Sequence, residues 1–172
     1  MRILTVRQPW AWAIIHGGKD VENRVRNIAG DYRGPVAIHA GLATFEDDGQ
    51  FREVRRAITS EDHGWPADDG EVWASDLVDP DDERFVYGAI IGVVDLVDVA
   101  PWTSHTDALT GTPGVVRRIP RQPARWEMRD HWHLRLADPR PLNEPIPYRG
   151  SLGLRSLDED TTARILAQIG AS

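Results

Sequence analysis

Short apolar or alternating stretches, separated by turn-forming residues, make up most of the hydrophobic pattern of this chain. Such stretches are typical of β-strands, especially where β-branched and aromatic residues recur in them. The pattern predicts strands at residues 3–6, 19–26, 35–40, 84–102, 125–139 and 152–154. Gly88 and Gly92 interrupt the longest of these strands, and glycine inside a strand commonly marks a bulge or a sharp bend.

Helical spacing of apolar residues is confined to three segments. In the first, Pro9 opens the stretch "PWAWAIIH" and a Gly-Gly pair ends it. The second covers about residues 45–59, and the third covers residues 158–169, beginning at Asp158 or the acids after it. Strands and helices do not alternate along the chain. We therefore expect a mainly β protein, a small curled β-barrel with peripheral α-helices.

The length and composition favour one compact unit. With 172 residues, 41% of them apolar, and seven tryptophans, the chain is long enough for one domain with a substantial core and short for two. We expect a single domain over residues 1–172. Two segments have loop composition: an acidic loop or insertion at residues 61–83, and a Thr-, Pro- and Arg-rich loop at residues 103–124.

The hydrophobic stretches predict neither export nor a membrane span. The apolar stretch at the N-terminus is far shorter than that of a signal peptide. The longest apolar run, residues 87–94, is much shorter than the roughly 20 residues that cross a bilayer. The chain contains no cysteine, which suits a reducing compartment. We expect a cytoplasmic protein with no membrane partner.

The charge of the chain is unevenly distributed. The formal net charge is −7, from 27 acidic and 20 basic residues. Ten of the acids lie in residues 61–83, which contain no Lys or Arg, so the remainder has 17 acids against 20 bases. The body of the protein is thus mildly basic, and a positively charged cleft for nucleic acid is compatible with the composition. A solvated loop is the commonest role for such an acidic segment. The more specific alternatives are an acidic lid over a basic cleft and a nucleic-acid mimic.

Several familiar kinds of site are missing from the sequence. It contains no G-x-G-x-x-G, no P-loop and no G-x-S-x-G. His131 and His133 lie two residues apart and could hold a metal together with Glu127, but a convincing third ligand is lacking. A polar strand face is the commoner role for both histidines. We therefore predict no metal and no cofactor.

The most unusual stretch is "GGKDVENR", which contains Lys19, the single lysine beside nineteen arginines. Gly17 and Gly18 end the predicted helix and allow close approach of a backbone or a ligand. Lys19 follows the helix C-terminus, where a cation is favoured, and Glu22 and Arg24 share a strand face and can pair. A glycine cap followed by a surface ion pair explains these residues as well. The lone lysine favours a role that needs a compact charge or an amine with a movable pKa.

The same stretch resembles a motif of a known family. Gly17, Lys19, Glu22 and Arg24 match the G-x-K-x-x-E-x-R pattern of the ASCH domain (activating signal cointegrator homology). "LTVRQPWAWAII" resembles the lead-in of that family, "GAIIGVVDLVDV" its central strand, and "HWHLRLADPRPLNEPIPYRGSLGL" its final strands with their Pro-rich, Arg-Gly turn. The resemblance covers most of the chain in the same order and leaves out the acidic segment and the C-terminal helix.

This resemblance implies a PUA-like β-barrel with a cleft over which the motif residues gather, and a role usually inferred as RNA or nucleic-acid binding. Some small members of the family are amidohydrolases that deacylate N4-acetylcytidine, and ribonuclease activity has been attributed to others. In the deacylating members a threonine stands where this chain has Glu22. That departure argues against the same amidohydrolase mechanism and places this chain nearer the branch that resembles the cointegrator domain itself.

Three functions therefore remain open at this point. The first is binding of RNA, single-stranded nucleic acid or a modified nucleotide, with Lys19 and Arg24 contacting the ligand and Trp10 or Trp12 stacking on a base. In this reading the basic residues of the 103–124 region and just beyond it could follow the nucleic-acid backbone: Arg117, Arg118, Arg121 and Arg125. The second is hydrolysis of an acylated nucleoside, with Lys19 as base and Glu22 as proton shuttle, which requires a lowered lysine pKa. The third is protein interaction through the acidic segment or an aromatic surface.

The same residues are predicted to form the site under the first two hypotheses. If the protein is an enzyme, the predicted catalytic residues are Lys19 and Glu22. His39 ends an apolar strand, and a histidine in that position is more often a satisfied near-core residue than a catalyst. The predicted ligand-binding residues are Gly17, Lys19, Glu22, Arg24, Gln8, Trp10, His39, Tyr148 and Arg149.

Overall fold

In a computed structural model, strands account for most of the regular structure of the chain. The structure describes residues 1–44, 83–102, 106–112, 115–120 and 126–170. In chain order the elements are β1 (Arg2–Gln8), α1 (Trp10–Ile15), β2 (Val21–Arg24), β3 (Gly34–Thr44), β4 (Ala89–Pro101), β5 (Thr106–Thr112), β6 (Val115–Pro120), β7 (Trp132–Pro147), β8 (Leu154–Ser156) and α2 (Glu159–Ile169).

Six of the strands form one curled sheet. Its order is β2-β7-β4-β3-β1-β8, with β1 and β3 parallel and the other neighbours antiparallel, while β5 and β6 form a separate antiparallel pair. The sheet is not closed by a ladder between its ends. A side chain bridges the gap instead: Arg24 on β2, one end strand, donates from Nη2 to the carbonyl oxygen of Thr5 on β1, the strand next to the other end, over 2.9 Å. The predicted mainly β fold with peripheral helices is confirmed, and its barrel is an open one.

Apolar clusters cover both faces of the sheet. Successive side chains of a strand point to opposite faces, so one strand can contribute to both clusters. On β1, Leu4 and Val6 belong to the larger apolar cluster, whereas Ile3 belongs to the smaller one. Helix α1 is buried in the larger cluster along its whole length. Helix α2 contributes Ile165 to the smaller cluster. The two helices therefore cover opposite faces of the sheet.

Helix α1 begins and ends as its proline and glycine residues predict. Pro9 is its N-cap, and the buried side chain of Gln8 accepts a hydrogen bond from the backbone N–H of Trp12 over 3.0 Å. That bond satisfies one of the donors left free in a first helical turn. At the other end Gly18 takes a positive φ of 67°, which only glycine adopts at little cost.

The C-terminal helix α2 is also capped as predicted. The Asp158 carboxylate accepts a hydrogen bond from the backbone N–H of Thr161 over 2.7 Å, which is the usual arrangement of an aspartate N-cap. Within the part of the chain that the structure describes, no helix combines the length and the apolar character needed to cross a membrane.

Several predicted boundaries are wrong. The segment 103–124 is not a plain loop, because residues 106–112 and 115–120 pair as β5 and β6. The strand expected at residues 125–139 begins only at Trp132 and continues to Pro147, and residues 126–131 form the turn before it. The prolines in β7 predicted a turn there, but register shifts in its pairing with β4 accommodate them. The predicted helix at 45–59 and nearly all of the acidic segment lie outside the described residues.

The pairing of β4 is irregular at Gly92, where the sequence predicts a bulge or a bend. In the pairing of β4 with β7 the register changes before and after Gly92, and in the pairing of β4 with β3 it changes once. A Cβ atom at this position would lie 2.6 Å from Cδ1 of Ile15 and 2.9 Å from the carbonyl oxygen of Arg140. The absence of a side chain at Gly92 therefore lets α1 pack directly on the sheet.

We expect Gly92→Ala to lower the free energy of unfolding by about 1 to 3 kcal/mol, because the added methyl group overpacks the contact between α1 and β4. Urea denaturation followed by tryptophan fluorescence measures this change. Gly41→Ala is the matched control, because its Cβ would lie 3.4 Å from Cγ2 of Thr5, an ordinary contact. Equal stability of the two variants would contradict the packing role of Gly92.

Candidate functional site

The single lysine is enclosed by the protein. Lys19 is 3% exposed, and its Nζ donates to the carbonyl oxygen of Val21 and to Oε2 of Glu22, the latter over 3.3 Å. The same Nζ lies 5.9 Å from the ring centroid of Trp10, at the outer limit of a cation–π contact. The ammonium group is thus surrounded by a carbonyl, a carboxylate and an indole.

The turn after α1 holds Lys19 in this position. The backbone N–H of Lys19 donates to the carbonyl oxygen of Ala13 over 2.9 Å. The carbonyl oxygen of Gly18 accepts from Nε1 of Trp126 over 3.0 Å, and that of Asp20 accepts from the backbone of Leu136 over 2.8 Å. The lysine side chain therefore starts from a backbone that is anchored to both the helix and the sheet.

Glu22 links Lys19 to Arg24. Its carboxylate contacts Nζ of Lys19 through Oε2 and Nη2 of Arg24 through Oε1, the latter over 3.1 Å. Arg24 also bonds Thr5 on β1, and its buried Nε has no hydrogen-bond partner within the described residues. The predicted pairing of Glu22 with Arg24 is present, and Glu22 is 8% exposed, so it is not the surface ion pair that the sequence left open.

Burial lowers the pKa of the Lys19 ammonium group below its usual range, and the neighbouring Glu22 carboxylate opposes that effect to a smaller extent. The sequence alone favoured a fully charged lysine, because it shows the nearby acid and the helix end but not the depth of burial. The free energy cost of removing the ammonium group from water is the larger effect here.

A cleft of about 390 Å³ opens on the other side of Glu22 and Arg24. It lies between β1, β2 and the segment after β7. Trp10 forms part of its wall, and the exposed Arg7 lies at its rim. Lys19 is not among the residues that line it, which are Thr5, Val6, Arg7, Trp10, Glu22, Asn23, Arg24, Ser151, Leu152 and Gly153. Glu22 therefore separates the lysine from the cleft.

The remaining predicted site residues divide into two groups. Gln8 and Gly17 serve the fold: the Gln8 amide bonds Trp12 and Val86, and a Cβ at Gly17 would lie 2.9 Å from Cα of Ala13. The second group lines a neighbouring cavity of about 610 Å³ rather than the cleft: His39, Tyr148 and Arg149.

His39 lies in the wall of this second cavity. It is 2% exposed, its Nε2 donates to the carbonyl oxygen of Tyr148 over 2.9 Å, and its Nδ1 has no partner within the described residues. Burial lowers the pKa of this imidazole. The neutral form with a proton on Nε2 is the one that this arrangement favours.

Part of the cleft was not predicted from the sequence. Thr5 and Arg7 alternate with the buried Leu4 and Val6 on β1, so the period of two could have assigned them to the side of the strand away from the larger cluster. Ser151 and its neighbours come from a distant segment, with Ser151 lying 146 residues after Thr5, and no local pattern brings that segment to β1.

The predicted histidine pair does not form a common site. Nε2 of His133 donates to the carbonyl oxygen of Met128 over 2.8 Å, and Nδ1 of His131 lies 2.7 Å from the carbonyl oxygen of Arg129. Glu127 pairs with Arg135 through Oε1 over 2.7 Å, and the same oxygen lies 3.8 Å from Nδ1 of His133. Across the residues that the structure describes, no group of three or more histidines and acids is arranged to hold a metal ion.

Comparison with known proteins gives structural matches only. The ASCH protein of Zymomonas mobilis has a TM-score of 0.48 and 15% identity, over 96% of this chain and 93% of the other. A point mutant of that protein has a TM-score of 0.48 and 14% identity, over 96% of both chains. Both structures bear the name of the family that the "GGKDVENR" motif resembles. No family model and no curated protein sequence matches the chain. Neither a ligand nor an activity follows from these similarities.

We expect Lys19→Arg to lower the free energy of unfolding by about 2 to 3 kcal/mol, because a guanidinium group is larger than an ammonium group and keeps its charge when buried. Urea denaturation of the purified variant measures the loss. The reverse exchange at the exposed neighbour Arg26, Arg26→Lys, is the control and should change stability by less than about 0.5 kcal/mol. A Lys19→Arg variant as stable as this control would show that the pocket around Nζ is not restrictive.

Proposed function

We propose that this protein binds single-stranded nucleic acid and takes one base into the cleft beside Glu22 and Arg24. One observation carries the proposal: a carboxylate, a guanidinium group and an indole side chain line the same cleft. The volume of about 390 Å³ falls in the range of roughly 300 to 1,000 Å³ that is usual for small-ligand pockets. The resemblance of the motif to the ASCH domain supports the same proposal.

The polar groups of the cleft suit the edge of a base. A carboxylate accepts hydrogen bonds from exocyclic amino groups, as on cytosine, and arginine donates to the carbonyl and ring nitrogen acceptors of bases. Glu22 supplies the first kind of group and Arg24 the second. Because Lys19 and Arg24 fix the two carboxylate oxygens of Glu22, the acceptor is oriented before a ligand arrives. Such preorganisation reduces the entropy lost on binding.

The charges around the cleft suit a phosphate backbone as well. Among the described residues, Arg7 and Arg24 line it together with one acid, Glu22, whose charge is opposed by Lys19 behind it. Arg7 is exposed, so a phosphate group can reach its guanidinium group, whereas Arg24 bonds the carbonyl oxygen of Thr5. A base inside and a phosphate at the rim are consistent with this arrangement.

Hydrolysis of an acylated nucleoside is the second candidate. The lowered pKa of Lys19 favours it, because a neutral amine can accept a proton from water. The position of Lys19 argues against it, since Nζ bonds Val21 and Glu22 and Lys19 does not line the cleft. Turnover of N4-acetylcytidine by the wild-type protein, abolished in Lys19→Arg while that variant remains folded, would support the hydrolase over the binding protein.

We expect Glu22→Gln and Arg24→Gln each to weaken binding of a fluorescein-labelled single-stranded RNA by about tenfold, because each removes a group that reads the base edge. Fluorescence anisotropy at several salt concentrations measures the dissociation constant and its salt dependence. The slope of the affinity against salt should stay unchanged in Glu22→Gln, because that residue contacts no phosphate.

Arg164→Gln is the control for loss of one positive charge. Arg164 is exposed on α2 and lines neither cavity, so its loss should change the affinity less than twofold. Circular dichroism confirms that each variant is folded. Affinities equal to that of the wild type in both cleft variants would refute the cleft as the binding site.

A further inference from the structure

The cleft has a neighbour that the single-base proposal does not use. The cavity of about 610 Å³ that contains His39, Tyr148 and Arg149 shares four lining residues with the cleft: Thr5, Arg7, Ser151 and Leu152. The two cavities therefore adjoin along β1 and the segment after β7. A ligand that leaves the cleft over this shared edge enters the second cavity.

The second cavity differs from the cleft in its chemistry. Two strongly exposed leucines lie along it: Leu42, with 83% exposure, lines this cavity and not the cleft, and Leu152, with 89% exposure, is shared with the cleft. Three other lining residues are glycines, at positions 41, 88 and 150, and they add no side chain that would fill the cavity. Exposed apolar side chains gathered around a concavity commonly mark a binding site. Such a lining suits the flat face of a base, and it offers fewer charged groups to a base edge than the cleft does.

Among the residues that the structure describes, the charged side chains that line the second cavity are both basic. They are Arg7 and Arg149, and both are exposed. Among the charged residues, Arg7 is the one shared with the cleft. A guanidinium group at the boundary between two base-sized cavities lies where a phosphodiester would join two occupants, and arginine is well suited to phosphate recognition.

We propose that the site takes two consecutive nucleotides of a single strand. One base lies in the cleft with Glu22 and Arg24, the next lies against Leu42 and Leu152 in the second cavity, and the phosphate between them contacts Arg7. This inference rests on the proposed function and specifies its ligand: an oligonucleotide with a charged internal linkage rather than a free nucleoside.

The test compares four probes by isothermal titration calorimetry: cytidine, cytidine 3′-monophosphate, the dinucleotide CpC, and CpC with an uncharged methylphosphonate linkage. CpC should bind about tenfold more tightly than cytidine 3′-monophosphate, because it adds the second base. It should also bind about tenfold more tightly than its methylphosphonate analogue, because the analogue lacks the charge at Arg7.

Two variants separate the contributions. Arg7→Gln should reduce the preference for CpC over its methylphosphonate analogue to less than about twofold, and Leu42→Asp should remove the preference for CpC over cytidine 3′-monophosphate. Both side chains are exposed, so neither substitution should destabilise the fold. Arg164→Gln again controls for charge.

Equal affinities for CpC and cytidine 3′-monophosphate, with cytidine binding still weakened by Glu22→Gln, would overturn the two-nucleotide site and leave the single-base cleft intact. If Arg7→Gln still prefers CpC over its methylphosphonate analogue, and Leu42→Asp still prefers CpC over cytidine 3′-monophosphate, the assignment of the second nucleotide to the second cavity is overturned. Failure of all four probes and of longer RNA to bind would overturn the proposed function together with this inference.

Discussion

The contact between the buried ammonium group of Lys19 and the carboxylate of Glu22 is the interaction on which the site depends. A buried charge is costly unless it is paired and hydrogen-bonded, and Lys19 meets that condition through Glu22 and the carbonyl oxygen of Val21. The other oxygen of Glu22 then holds Arg24, which reaches Thr5 across the open edge of the sheet. One buried cation thereby orders the charged residues of the cleft and supports the link between β2 and β1.

This arrangement explains why the chain has a lysine at this position. Arginine supplies the other nineteen permanent positive charges, but the space around Nζ is bounded by a carbonyl, a carboxylate and the Trp10 ring. A compact ammonium group can be accommodated there, and its pKa can fall in response to burial. In this account Lys19 positions Glu22, and Glu22 and Arg24 face the ligand.

The sequence was informative where the determining contacts are local. Pro9 and the Gly-Gly pair determine α1, the period of two determines β1, and the spacing of Glu22 and Arg24 places both side chains within reach of each other. It was uninformative where distant segments meet. The burial of Lys19 depends on Trp10 and on the anchoring of its turn to Trp126 and β7, and the second cavity joins Leu42 to Leu152. The prolines of β7 misled the prediction because a strand with register shifts tolerates them.

The protonation equilibrium of Lys19 tests this account most directly. Because the chain contains one lysine, labelling with ¹³C-lysine gives a single ε-carbon signal, whose chemical shift reports the charge of the side chain. Its midpoint can be followed by NMR from about pH 7 to about pH 12. We expect a midpoint below the ordinary lysine value of 10.5, because burial outweighs the attraction of Glu22. A midpoint at or above 10.5 would mean that the attraction of Glu22 matches or exceeds the cost of burial, and would contradict this interpretation.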